Sequence, residues 1–118
     1  MSADRSTSSS VSTHVLDASA GTPAEGVPVV LEWLTGPVAQ VVARAVTDAD
    51  GRAGSLGPAS LSTGTYRLAF DTGAYFALDE RSTFYPIVQV VFTIDASTGH
   101  HHVPLLLSPF AYSTYRGS

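Results

Sequence analysis

Between Pro86 and Asp95 every second residue is apolar, with Val88, Val90, Phe92 and Ile94 falling on one side. A period of two is the signature of a strand that buries one face. The same alternation recurs in shorter form. Val11 to Asp17 places Val11, Thr13 and Val15 on one face and Ser12, His14 and Leu16 on the other. Pro28 to Leu34 aligns Val29, Leu31 and Trp33, and Thr65 to Asp71 aligns Tyr66, Leu68 and Phe70. Ala39 to Thr47 is rich in Val and Ala. His100 to Leu107 and Tyr112 to Arg116 predict a closing hairpin around Ser108-Pro109-Phe110-Ala111, and a short strand is expected near Ala59 to Leu61. Turn signals separate these runs, among them Gly21-Thr22-Pro23, Thr35-Gly36-Pro37, Asp48-Ala49-Asp50-Gly51, Gly57-Pro58 and Thr98-Gly99. Seven or eight short strands at such spacing predict an all-β sandwich.

One segment breaks the pattern. In Gly73 to Ser82, Ala74, Ala77 and Leu78 stand at i, i+3 and i+4 among good helix formers, which predicts one short helix. Asp79, Glu80 and Arg81 then read as its solvated face, and Trp33, Tyr85 and Phe92 as core or interface aromatics.

Composition narrows the class. The chain has 118 residues, enough for one domain but not for two cores. Its net charge is −4, with six Arg, no Lys and no basic run, which disfavours nucleic acid as a partner. The absence of Cys excludes a disulfide scaffold and thiolate chemistry. Ser-rich, polar Met1 to Ser10 predicts a disordered segment ahead of a domain over residues 11–118, and offers no apolar core for a signal peptide. No apolar run approaches a membrane span, so a cytoplasmic protein without a membrane partner is expected.

Alternation also places the candidate chemistry. In His100 to Leu107, Val103, Leu105 and Leu107 form the natural core face. His100, His102, Pro104 and Leu106 then face outward, with the two imidazoles about 7 Å apart along the strand. An apolar Leu106 on that face implies a cover, and for a single-domain chain the natural cover is another subunit. Pro104 lacks an N–H and predicts an edge or irregular position. His101 points inward with Val103. His14 is an imidazole of the first strand, and Asp48-Ala49-Asp50-Gly51-Arg52 is a tight turn followed by an Arg. Taken singly, such a His or Arg is ordinarily a solvated or satisfied residue.

Together these segments resemble the 5-hydroxyisourate hydrolases, the enzyme branch of the transthyretin-like family. The matching motifs are Ser12-Thr13-His14-Val15-Leu16-Asp17, Gly21-Thr22-Pro23-Ala24, Thr47-Asp48-Ala49-Asp50-Gly51-Arg52, Phe84-Tyr85-Pro86, and the tail from His100-His101-His102-Val103-Pro104 to Tyr115-Arg116-Gly117-Ser118. The resemblance covers Ser12 to Ser118 and implies a transthyretin-like β-sandwich. It also implies a homotetramer, a dimer of dimers with active sites at the dimer–dimer interface. The implied reaction is hydrolysis of 5-hydroxyisourate, an oxidised purine, to 2-oxo-4-hydroxy-4-carboxy-5-ureidoimidazoline in urate degradation, with no cofactor. Carried over by motif, His14, Arg52 and His102 would be catalytic. Tyr115, Arg116, Gly117 and Ser118 would close the site on the substrate. The hormone-carrying transthyretins lack these His and Arg residues and the Tyr-Arg-Gly-Ser ending.

Three positions depart from the pattern: His101 in place of Tyr, Asp48 in place of Asn, and Ala111 where a turn residue is common. Asp48 is expected either to hold Arg52 or to compete with substrate for it. Two other classes fit some of the residues. His14, His100 and His102 offer three nitrogens to Zn²⁺ or Cu²⁺. A covered face of this kind would also suit a non-catalytic carrier of a flat aromatic ligand.

Overall fold

The computed structural model describes residues 9–118. Its strands are β1 (Val11–Asp17), β2 (Thr22–Pro23), β3 (Pro28–Trp33), β4 (Gln40–Val46), β5 (Arg52–Ala53), β6 (Gly64–Phe70), β7 (Val88–Ile94), β8 (His101–Ser108) and β9 (Ala111–Thr114). One helix, α1 (Thr72–Ala77), lies between β6 and β7. The first sheet runs β2-β1-β8-β9, with β5 also paired to β1, and the second runs β4-β3-β6-β7. All pairings are antiparallel except β1 with β8, which run parallel in register from Val11↔His101 to Asp17↔Leu107.

The core lies between the sheets and is supplied by the alternating faces expected of these strands. Val11 and Val15 of β1, Val29 and Leu31 of β3, Leu68 and Phe70 of β6, and Leu105 and Leu107 of β8 are all fully buried. Leu105→Ala would therefore cost roughly 2–5 kcal/mol through lost burial and the cavity left behind. Strand β4 departs from strict alternation. Its register against β3 shifts between Leu31↔Ala43 and Glu32↔Val41, so Val42 is an extra residue and packs on the core.

Several expectations change. Residues 59–61 form no strand; β2 and β5 supply the short pairings instead. Ser9 and Ser10, placed with the disordered segment, are buried. Ser9 Oγ donates to the carbonyls of Val11 and Gly54 at 2.6 and 2.8 Å, and the Ser10 amide donates to Pro58 O at 3.0 Å. The rest of that expectation, Met1 to Ser8, lies outside the described residues.

The helix is shorter than predicted and turned the other way. Asp71 caps it by accepting from the Ala74 amide at 3.0 Å. Thr72, Tyr75 and Phe76 are the buried positions, while Leu78 is exposed. Two adjacent aromatic rings bury more apolar area than Ala74, Ala77 and Leu78 offer, and they decide the facing. Glu80 at positive φ ends the segment and returns the chain so that the Arg81 amide meets Phe76 O at 3.0 Å.

Arg81 is consequently not a solvated helix residue. Its guanidinium lies over the Phe76 ring, 4.9 Å from the centroid, and pairs with Asp17 at 2.7 Å. The Asp17 carboxylate is fully buried at the end of β1 and also accepts from Tyr75 Oη at 2.7 Å. Burial opposes ionisation of Asp17, but the bonds from Arg81, Tyr75, Ala20 and Ser19 outweigh it and hold the carboxyl far below its usual range. Burial and the Asp17 charge push the Tyr75 phenol up to about 12.

Pro104 lies inside β8 rather than on an outer strand, yet at an interruption. The β8–β9 ladder ends at Leu105↔Thr114, and the next pairing is the isolated bridge His102↔Gly117. Between them, Thr114 Oγ1 donates to Pro104 O at 2.7 Å.

Candidate functional site

Register brings the expected catalytic side chains together. Arg52 of β5 pairs with His14 of β1, and Ser12, two residues before His14 on the same face, pairs with His102 of β8. Thr13, Ala53 and Val103 alternate with them and are buried, so Arg52, His14, Ser12 and His102 all project from the outer face of the first sheet. Neighbouring strands lie about 4.8 Å apart and His102 stands two residues before Pro104, the β8 partner of His14, so the row from Arg52 through His14 to His102 runs diagonally over about 12 Å across three strands.

Each member is held by a different device. Gly51, at φ +78°, occupies a place where a Cβ would collide with the Val15 carbonyl. Only glycine lets the turn lie this close to β1, and the Val15 amide then donates to Gly51 O at 2.7 Å. The turn in turn orients His14, whose Nε2 lies 2.8 Å from the Asp50 carbonyl. A carbonyl only accepts, so Nε2 carries a hydrogen.

Asp48 does not grip the Arg52 guanidinium. Its Oδ1 accepts from the amides of Asp50 and Arg52 at 2.9 and 3.0 Å, which builds the turn itself. The Arg52 amide bond is also the main reason its carboxyl sits below the ordinary range. Among the described residues the Arg52 guanidinium forms no ion pair, so its donor fork is open to a ligand.

His102 is half-buried. Its Nδ1 lies 2.8 Å from Ser12 Oγ, which is also 2.8 Å from Nε2 of His100. Burial lowers the pKa of His102, and the charges of Arg52, His100 and His14 lower it further. The ring is therefore neutral at physiological pH. The tail closes beside it: the Gly117 amide donates to His102 O at 2.9 Å, and a Cβ on Gly117 would lie 2.5 Å from His102 Cδ2. Tyr115, Arg116 and Ser118 flank that contact and are largely exposed.

His101 is buried, as alternation predicts. Its Nε2 accepts from the Asp95 amide at 3.1 Å, while Nδ1 is buried without a partner among the described residues. A cleft of about 390 Å³ opens beside it between the sheets, reaching the outer row only through His102 and the tail residues Tyr115 and Arg116. The three imidazoles of the metal reading do not converge on one point. His100 and His102 meet at Ser12 Oγ, His14 turns to Asp50, and the described residues hold no group of three potential ligands.

Alternation set the facing of His14 and His102, and the family resemblance added Arg52 and the tail; neither marked Ser12 and His100 as partners of His102. The signal was present, since Ser12 shares the outward face with His14, and His100 with His102.

A two-sheet sandwich with one short helix and an Arg–His–His row on its outer face defines a transthyretin-like protein with the means for acid–base chemistry. The model of the HIUase/Transthyretin family matches residues 11–117, and the chain belongs to that family. It is 47% identical to the 5-hydroxyisourate hydrolase of Mus musculus, over 94% of this chain and 97% of the relative. The structure of Klebsiella pneumoniae 5-hydroxyisourate hydrolase matches with a TM-score of 0.81 and 44% identity, covering 93% of this chain and 94% of that one. Transthyretin from Sparus aurata has a similar fold (TM-score 0.82) at 33% identity, over 92% of this chain and 96% of its own. Within the family, this chain stands with the enzymes.

Proposed function

We propose that this chain hydrolyses 5-hydroxyisourate in urate degradation, and that the outer-face row is its reacting centre. The observation that carries the proposal is the alignment of Arg52, His14 and His102 on one face of three neighbouring strands, in a chain 44% identical over 93% of its length to a solved hydrolase of that name.

The chemistry asks for three things: a base for water, a cation for the developing oxyanion, and exclusion of bulk solvent. His102 is the base, because its lowered pKa keeps it unprotonated at neutral pH. It takes a proton as water oxygen bonds to the carbonyl carbon. Arg52 offers its fork to the carbonyl oxygen, whose charge grows in that step. The tetrahedral adduct collapses with cleavage of the ring C–N bond. The proton that His102 took passes to the departing nitrogen through His14, whose ring is oriented by Asp50 O and whose Nδ1 can accept and release it. Tyr115 to Ser118 cap the ring system beside His102.

One chain leaves this face open, with Leu106 36% exposed on it and Tyr115 59% exposed in the tail beside it. A homotetramer, two dimers meeting over this face, supplies the cover and the dry pocket. We also place the enzyme in the cytoplasm; separately, no helix among the described residues is long and apolar enough to cross a membrane.

His14→Ala, Arg52→Ala and His102→Ala are each expected to keep the wild-type far-ultraviolet circular dichroism and to lower turnover by at least about a hundredfold. Turnover at the wild-type rate in all three would remove the row from the mechanism. A carrier of flat aromatic ligands would instead bind without consuming its ligand, and three polar cationic or imidazole groups on the face weigh against that.

A further inference from the structure

Three contacts join His102 to a residue outside the row. His100 Nδ1 lies 3.1 Å from the Ser9 carbonyl, His100 Nε2 lies 2.8 Å from Ser12 Oγ, and Ser12 Oγ lies 2.8 Å from His102 Nδ1. The first contact sets the direction of the rest. A carbonyl oxygen accepts only, so His100 Nδ1 carries the hydrogen, and in a neutral ring Nε2 is left as an acceptor. Ser12 has a single O–H, which it donates to His100 Nε2. Its oxygen then accepts from His102, so His102 Nδ1 carries the hydrogen and Nε2 holds the lone pair.

We propose that Ser12 and His100 are positioning residues that fix His102 as its Nδ1–H tautomer, so that Nε2 is the nitrogen that removes the proton from water. The proposal rests on the hydrolase reading and deepens it by naming the basic atom and what selects it. In water a neutral histidine side chain favours the opposite, Nε2–H form, in which Nε2 cannot act as a base. The hydrogen bond to the second nitrogen decides between the two. The backbone makes the contact dependable, because Ser12 and His102 are register partners in the parallel β1–β8 pair. His100 is anchored through Ser9, whose hydroxyl is itself tied to Gly54 O at 2.8 Å.

The test uses the full chain with ¹⁵N-labelled histidine at about pH 8, where the imidazoles are neutral. Long-range ¹H–¹⁵N correlation reads each tautomer, and His102→Gln assigns the His102 signals. Wild type should show His102 with Nδ1 protonated and Nε2 bare. Ser12→Ala and, independently, His100→Ala should move His102 toward the Nε2–H form and lower kcat about tenfold or more, with KM within about twofold. Ser12→Thr, which keeps the hydroxyl, should restore both readouts. An Nε2–H signal in wild type would overturn the proposal. So would folded alanine variants that keep the wild-type tautomer, or that change tautomer without losing kcat. A wild type with the expected tautomer but no turnover of 5-hydroxyisourate would sink the hydrolase reading instead, and the spectra alone would then judge the tautomer control.

Discussion

At His102, partial burial and the charge of Arg52 act in the same direction. Both disfavour the imidazolium, so the ring stays neutral below its ordinary pKa of 6.5. If His102 is the base, as proposed, falling pH protonates it and stops the reaction, and the acid limb of kcat/KM is expected below pH 6.5. Arg52 is the nearest-acting charge after burial, so Arg52→Gln should raise the pKa of His102 in an NMR titration. An unchanged or lower value would contradict this electrostatic account. The same shift has a consequence for folding. In the window between the lowered folded value and 6.5 the unfolded chain binds more protons, so stability falls as pH falls through it. The facing of His14 and His102 was legible from alternation, because side-chain facing in a strand follows directly from residue number, whereas Arg52 was reached only through the family resemblance of its Asp-Gly-Arg turn. The tautomer of His102 was not legible, because it depends on a carbonyl and a hydroxyl brought in by register between distant segments.

At the level of elements, α1 shows where pattern reading stops. Ala74, Ala77 and Leu78 carry helical spacing, but Tyr75 and Phe76 carry the burial, and tertiary packing decided the matter. The network that results joins β1 to the loop after α1 through Asp17, Tyr75 and Arg81. Its partners lie far apart in sequence, so no local motif announces it. Asp17→Asn is expected to cost about 2 kcal/mol in urea unfolding at pH 7, the worth of a charged hydrogen-bonded pair. The folded carboxyl titrates far below the ordinary 3.8, so this stabilisation is full above about pH 5 and is lost progressively as pH falls from there toward the low folded value. A wild-type advantage that already shrinks between pH 7 and 5 would contradict the assignment. At the other end of the first sheet, Gly117 lets the tail pass against the His102 ring. Gly117→Ala should lower turnover while leaving the urea midpoint unchanged within error, since the tail contributes little to the core.

On the scale of the whole molecule, the two sheets bury one another and leave the outer face of the first sheet open. The sandwich was legible because its strands alternate and its turns are chemically marked. For a cover the sequence offered only an expectation, in the outward-facing Leu106, whose partner across the β1–β8 pair is Leu16. If two dimers close over this face, Leu106→Glu should place a charge in the contact and shift the protein from tetramer to a smaller species in size-exclusion chromatography with light scattering. Turnover should fall with it, because the pocket loses its dry wall. A fully active tetramer carrying Glu at that position would show that the face is covered otherwise, or not at all.

The most direct measurement is the decay of 5-hydroxyisourate itself. Urate is oxidised enzymatically in the cuvette, and the ultraviolet band of the transient product is followed with wild type, with His102→Ala and without protein. The account predicts that wild type accelerates the decay in proportion to its concentration and that the variant follows the uncatalysed curve. Decay at the uncatalysed rate with folded wild type, or equal acceleration by the variant, would contradict it.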